Sequence, residues 1–180
     1  LDDRQFPTIA LLPDGKVLLG GGNDNRLVPH KTSELWDPAT GEWTMTGKML
    51  KYRELGASVV LRDGRIIVTG GKSKTFEQQA HAEIYDPATG EWTLTAGRSI
   101  GRALHTATVL PDGRVLVTGG GKVDGPYDET AELYDPAADS WTLTGDMGRG
   151  RAVRTATLLP DGRVLVAGGS GKRISAEVYD

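Results

Sequence analysis

Short apolar runs of strand length alternate with polar turns along the whole chain. The third such stretch is the plainest. His105-Thr106-Ala107-Thr108-Val109-Leu110 is followed by Pro111-Asp112-Gly113, then by Arg114-Val115-Leu116-Val117-Thr118. Both runs are rich in β-branched residues, which favour strands. Between them, proline fixes φ, aspartate tolerates the next turn position and glycine accepts positive φ. The second run is apolar on both of its alternating faces (Val115 and Val117 against Leu116), which predicts a strand covered on both sides. Ala131–Tyr134 predicts a third strand and Trp141–Thr144 a fourth, joined by the turn at 135–140. No segment of ten or more residues shows helical periodicity, so the chain is predicted to be all-β.

The pattern repeats. The pairs Asp14-Gly15, Asp63-Gly64, Asp112-Gly113 and Asp161-Gly162 stand 49 residues apart. A strand-and-turn unit recurring at roughly 40–50 residues is the signature of a propeller blade. One domain over 1–180 is expected, with units at 4–52, 53–101, 102–150 and 151–180. The outer turn is Asp-Pro-Ala-Thr-Gly-Glu in the first two units, with Gly41 and Gly90 available for a left-handed position. Asp139 replaces that glycine in unit three, and aspartate is among the few residues that tolerate it. Trp36/Trp43, Tyr85/Trp92 and Tyr134/Trp141 are predicted to pair across this hairpin, at the wide outer edge of each blade.

A Gly-Gly doublet closing strand two (Gly21-Gly22, Gly70-Gly71, Gly119-Gly120, Gly168-Gly169), then Glu-x-Tyr-Asp-Pro, then Trp seven residues after the Tyr, resembles the kelch repeat. The resemblance covers essentially the whole chain and is to a bacterial-type member, related to the galactose-oxidase-like propellers. It implies a kelch-type β-propeller of four blades. Such propellers include protein adaptors, a sugar epimerase and copper-radical oxidases, so the fold alone does not choose a function. Unit four departs from the pattern: it stops at Tyr179-Asp180, before its Trp strand, where four full units would run to position 199. Kelch rings usually have six or seven blades and close by sharing a strand between termini. Three arrangements follow: part of a larger ring, a true four-bladed propeller, or two chains forming an eight-bladed ring through the open last blade.

Composition narrows the chemistry. There are no cysteines, which excludes disulfides, thiolate metal sites and a thiol nucleophile. A copper-radical site needs a Cys-linked Tyr and a histidine cluster, and neither exists here. No cofactor or metal is expected. No run approaches 18 apolar residues, so no membrane-spanning helix is expected. A net charge of −3 argues against a whole-chain grip on nucleic acid. Leu1 as the first residue suggests a processed, excised or partial chain. The compartment stays open, with a secreted or cell-surface setting favoured.

Charge separates the two faces of the propeller. Five basic and eleven acidic side chains fall on the face of Pro-Asp-Gly and Asp-Pro turns, and the strand-three glutamates Glu34, Glu83, Glu132 and Glu177 add four negative charges. Everything else sums to +7. The loops after each Gly-Gly (22–33, 72–80, 121–130, 170–175) vary most and belong to this basic side, where a ligand is expected. Candidate ligand-binding residues are Lys72, Lys74 and Arg98, the recurring Arg53, Arg102 and Arg151, and the solitary His105. Arg4 belongs to the same series. The arginines have a competing structural role, pairing with the strand-three glutamates, since a glutamate inside an apolar strand must be satisfied. Asp124, Asp128 and Glu129 crowd one loop, but their spacing fails a calcium-loop pattern. The reading is a non-catalytic binding module for a protein or an anionic glycan. The alternatives are part of a carbohydrate-acting enzyme and a purely structural or engineered array.

Overall fold

A computed structural model of the chain describes residues 3–97, 100–121, 126–152, 154–170 and 175–180. It contains fifteen strands in four antiparallel sheets. Blade 1 is β1 (Thr8–Leu11), β2 (Val17–Gly20), β3 (Ser33–Asp37) and β4 (Glu42–Met45). Blade 2 is β5 (Ala57–Val60), β6 (Ile66–Thr69), β7 (Ala82–Asp86) and β8 (Glu91–Leu94). Blade 3 is β9 (Thr106–Val109), β10 (Val115–Thr118), β11 (Ala131–Asp135) and β12 (Ser140–Thr144). Blade 4 has three strands only: β13 (Arg154–Leu158), β14 (Val164–Gly168) and β15 (Ala176–Tyr179). Each sheet is a meander, its strands hydrogen-bonded in sequence order. The described residues contain no helix, so none crosses a membrane as a helix.

The turns form for the reasons their residues give. In every Asp-Gly turn the glycine sits at positive φ, 87° at Gly15 and 93° at Gly113, and the aspartate accepts a backbone N–H two residues on. Asp139 takes the left-handed position of Gly41 and Gly90 with φ 44°. Its carboxylate also accepts the Tyr134 hydroxyl at 2.9 Å and the Ala96 N–H. The aromatic pairs lie in register across the outer hairpin; Tyr85 and Trp92 have ring centroids 5.1 Å apart, and Tyr134 and Trp141 4.9 Å.

The innermost strands stand side by side in the order β1, β5, β9, β13, and the core lies between successive blades. Leu18, Ala10 and Leu12 of blade 1 meet Ile66, Val68, Tyr85 and Trp92 of blade 2. Ile67 and Ile84 of blade 2 meet Val115, Val117 and Tyr134 of blade 3. Leu116 and Leu133 of blade 3 meet Val164 and Val166 of blade 4. Each blade therefore buries a back face against the front face of the next. The consequence shows in strand two. In β6 and β10 all four residues are buried, whereas β2 and β14 alternate, because the end blades have one neighbour each.

Backbone bonds tie successive blades together. The second glycine of the first three doublets donates to the carbonyl of the next blade's recurring arginine: Gly22 to Arg53, Gly71 to Arg102, Gly120 to Arg151, at 2.8–2.9 Å. These glycines have φ near +85°, and a Cβ on Gly71 would meet the Glu54 carbonyl oxygen at 2.5 Å, so only glycine fits. A second series runs Leu55 N–H to Phe6 O and Leu104 N–H to Leu55 O.

Candidate binding face

The recurring arginines are internal. Arg53 and Arg102 are fully buried and Arg151 nearly so. Each guanidinium bonds the carbonyl of the first doublet glycine, the carbonyl just before strand three, and the strand-three glutamate of its own blade. Arg53 meets Glu83 at 2.8 Å and Arg102 meets Glu132 at 2.8 Å; Arg4–Glu34 and Arg151–Glu177 repeat the pairing. Burial pulls the Arg53 guanidinium below its ordinary value, and the Glu83 carboxylate opposes that. Glu83 also accepts the N–H groups of Leu50 and Lys51, from the segment that enters blade 2, and Glu177 accepts Gly148 N–H in the same way. One arginine and one glutamate per blade thus lock three backbone segments at the base of the loops. This geometry leaves the guanidiniums facing protein, not solvent.

His105 is also buried, with Nε2 2.5 Å from the Thr69 hydroxyl of the preceding blade. Glu54 and Asn23 form another contact between blades, both buried, with the Asn23 amide donating to the carboxylate. Glu54 occupies a position held by Gln5, Ala103 and Ala152 in the other units, and that break in register was its sequence signal.

The loops above this base expose a different chemistry. Lys31 and Lys74 place their ammonium groups 4.9 and 5.9 Å from the centre of the half-exposed Tyr52 ring. Lys72 lies 5.6 Å from the ring centre of Phe76, which is 58% exposed. Phe76 and Leu27 both hold left-handed backbone, at φ 62° and 59°, and both point an apolar side chain outward. They stand one repeat apart. So do Asp24 and Ser73, whose side-chain oxygens accept N–H groups two and four residues on and so fold the loop beneath them. Hydrogen bonding from the Val28 amide first, then from Arg26, holds the Asp24 carboxyl below the usual range. The first two loops therefore share a hidden frame, although their sequences read as unrelated. Arg98 lies outside the described residues, as does Asp124. Among the described residues no cluster of His, Asp or Glu could hold a metal ion.

The opposite face has a groove of about 550 Å³ between blades 2 and 3. Arg62, Arg65, Arg114, Asp63, Asp112 and Asp135 line it, a balance of three cations and three anions. The monotony of the turns gave no expectation of it. The signal was Arg62, which stands where the other units have Pro13, Pro111 and Pro160, and which donates to the Pro111 carbonyl.

Residues 102–148 match the family model of the kelch motif. The chain is a β-propeller whose third blade carries a kelch motif. Its fold is widely shared: 281 chains of solved structures match it. The structure of YjhT superposes on the propeller with a TM-score of 0.80 at 16% sequence identity, covering 98% of this chain and 67% of that one. Identity this low speaks for the fold and not for the chemistry. No curated protein sequence matches the propeller.

Proposed function

We propose that this propeller is a non-catalytic binding module that takes an acidic partner, a protein segment or an anionic glycan, on its loop face. The observation that carries the reading is the cationic-aromatic cluster of Lys31, Tyr52, Lys74, Lys72 and Phe76. Lysine over an aromatic ring is a common surface contact, but here the ring of Phe76 is held outward on left-handed backbone. That conformation costs a non-glycine residue on the order of 1–2 kcal/mol. Loops on a rigid scaffold are where binding concentrates. Lys72 and Lys74 supply charge, while Tyr52 and Phe76 supply apolar area. In this reading Arg53, Arg102 and Arg151 serve the site as braces beneath the loops, and His105 fixes blade 3 against blade 2.

The test is binding of two fluorescent probes, polyglutamate and heparin, to the wild-type chain and to a Lys72→Glu/Lys74→Glu variant. At least one probe is expected to bind the wild type, with affinity falling as salt is raised, and to lose tenfold or more on the double variant. Preference for one probe separates the protein reading from the glycan reading. Failure of both probes, or equal binding to wild type and variant, rules the site out.

A further inference from the structure

On the turn face the three seams between blades are built alike, with one exception. At the first seam the Pro13 ring lies over Gly64: a Cβ on that glycine would stand 3.2 Å from Pro13 Cγ. At the third seam the Pro111 ring lies over Gly162 in the same way, at 3.3 Å. At the middle seam Arg62 stands in place of the proline, and its Cδ takes the same position over Gly113, at 3.3 Å. The stem of the arginine therefore meets the packing need that proline meets elsewhere. The guanidinium is additional. It donates to the Pro111 carbonyl, which holds it at the groove between blades 2 and 3.

The six charges of that groove are not equivalent. Arg65 Nε bonds Asp63 at 2.8 Å and Arg114 Nε bonds Asp112 at 2.6 Å, and each aspartate also accepts the backbone N–H of its arginine. These pairs belong to the repeat, since Arg163 and Asp161 form the same one in blade 4, and they neutralise themselves. Arg62 and Asp135 remain. Among the described residues neither forms an ion pair. Asp135 Oδ1 accepts the N–H groups of Ala137 and Ala138, which leaves Oδ2 for a ligand. Its counterpart in blade 1, Asp37, is instead paired with Lys16. The groove thus offers one uncompensated cation and one uncompensated anion, with apolar surface from Leu61 and Pro136.

Charge selects the occupant. The turn face as a whole is acidic and repels a simple anion before it reaches Arg62. A simple cation meets three guanidiniums in the groove. A molecule that carries both a carboxylate and an ammonium group satisfies Arg62 and Asp135 together, because a guanidinium presents parallel N–H donors to a carboxylate and a carboxylate accepts from an ammonium. The volume of about 550 Å³ lies in the range of sites that take small organic molecules.

We infer that this groove binds a zwitterion, an amino acid or short peptide, with its carboxylate on Arg62 and its ammonium on Asp135. The site is separate from the loop face and does not depend on the reading of that face.

The test is titration of the chain with trialanine, followed by amide NMR. Millimolar trialanine is expected to shift the amide signals of Gly64, Gly113 and Ala137 saturably. N-acetyl-trialanine, which keeps only the anion, and trialanine amide, which keeps only the cation, should each bind at least tenfold more weakly. Free alanine separates the two sources of the same chemistry: whichever zwitterion binds tighter names the class. Arg62→Pro restores the residue of the other three units, and Asp135→Asn keeps the acceptor for the Ala137 and Ala138 amides. Each variant is expected to lose tenfold or more in affinity, and Arg62→Gln serves if the proline variant does not fold. Lys72→Glu/Lys74→Glu should bind trialanine as the wild type does. The inference is overturned if neither zwitterion shifts these three amides saturably, if a capped analogue binds as well as trialanine, or if either groove variant keeps wild-type affinity.

Discussion

Replacing Arg53 by Met removes the cation from a glutamate that has no exposure at all. Methionine fills most of the volume, so packing changes little and the electrostatic loss dominates. Glu83 keeps the N–H groups of Leu50 and Lys51, while the carbonyls of Gly70 and His81 lose their donor. Breaking a buried pair from one side costs about 3–5 kcal/mol. For a chain of this size each kcal/mol moves the melting temperature by about 2–4 °C, so a fall of roughly 6–20 °C is expected. The second arm of the cycle is Glu83→Gln, which keeps an acceptor for the two amides. Alone it strands the buried guanidinium and should cost a similar amount. Combined with Arg53→Met it leaves no buried charge, so the double variant should be more stable than the sum of the singles predicts by about 2 kcal/mol. Denaturant unfolding followed by circular dichroism measures all four corners. A single-variant loss below 1 kcal/mol, or additivity within 0.5 kcal/mol, would refute the claim that the pair acts as a brace.

Glycines at positive φ divide into two classes. Gly71→Ala drives a Cβ into the Glu54 carbonyl and Arg53 Cγ, whereas Gly15→Ala meets open space at nearly the same φ. Urea unfolding should show a loss of about 1–2 kcal/mol for Gly15→Ala, from backbone strain alone, and a clearly larger one for Gly71→Ala. The Tyr134 phenol is pushed well above its ordinary value, by burial first and then by Asp139. The folded state thus holds that proton more tightly than the unfolded state. The stability it brings is complete below the ordinary tyrosine range, about pH 10, and drains away as pH rises beyond it. Asp139→Gly should lower the pH at which the phenolate appears in ultraviolet titration; an unchanged titration would show that burial alone sets it.

Much of the architecture could be read from the chain because each blade carries its instructions locally. The Asp-Gly turns, the tolerance of Asp139 for left-handed backbone and the Tyr134/Trp141 pair are decided by residues within one hairpin, and the structure has all of them. Strand two shows where local reading stops. Val17-Leu18-Leu19 and Ile66-Ile67-Val68 have the same apolar character, yet one alternates in burial and the other is sealed, because the difference lies in the neighbouring blade. The candidate site divides the same way. Lys72 and Lys74 were legible as charge in a variable loop, but their approach to Phe76 and Tyr52 depends on left-handed turns that only the 49-residue offset between Asp24 and Ser73 betrays. Glu54 and Arg62 stand out against their counterparts in the other units, but what each does was hidden because its partner lies on another blade.

The link from each doublet glycine to the next blade's arginine carbonyl joins adjacent blades and no others. The arginine that accepts it also braces its own blade, so cohesion within a blade and cohesion between blades meet at one residue. Such an array behaves as a chain of coupled units whose ends open first. Blades 2 and 3, each held from both sides, are expected to exchange their amides slowest of the four, and the loop that carries Phe76 and Lys72 is rooted in blade 2. Fraying at blade 4 can then proceed without loosening the surface on which a partner would rest.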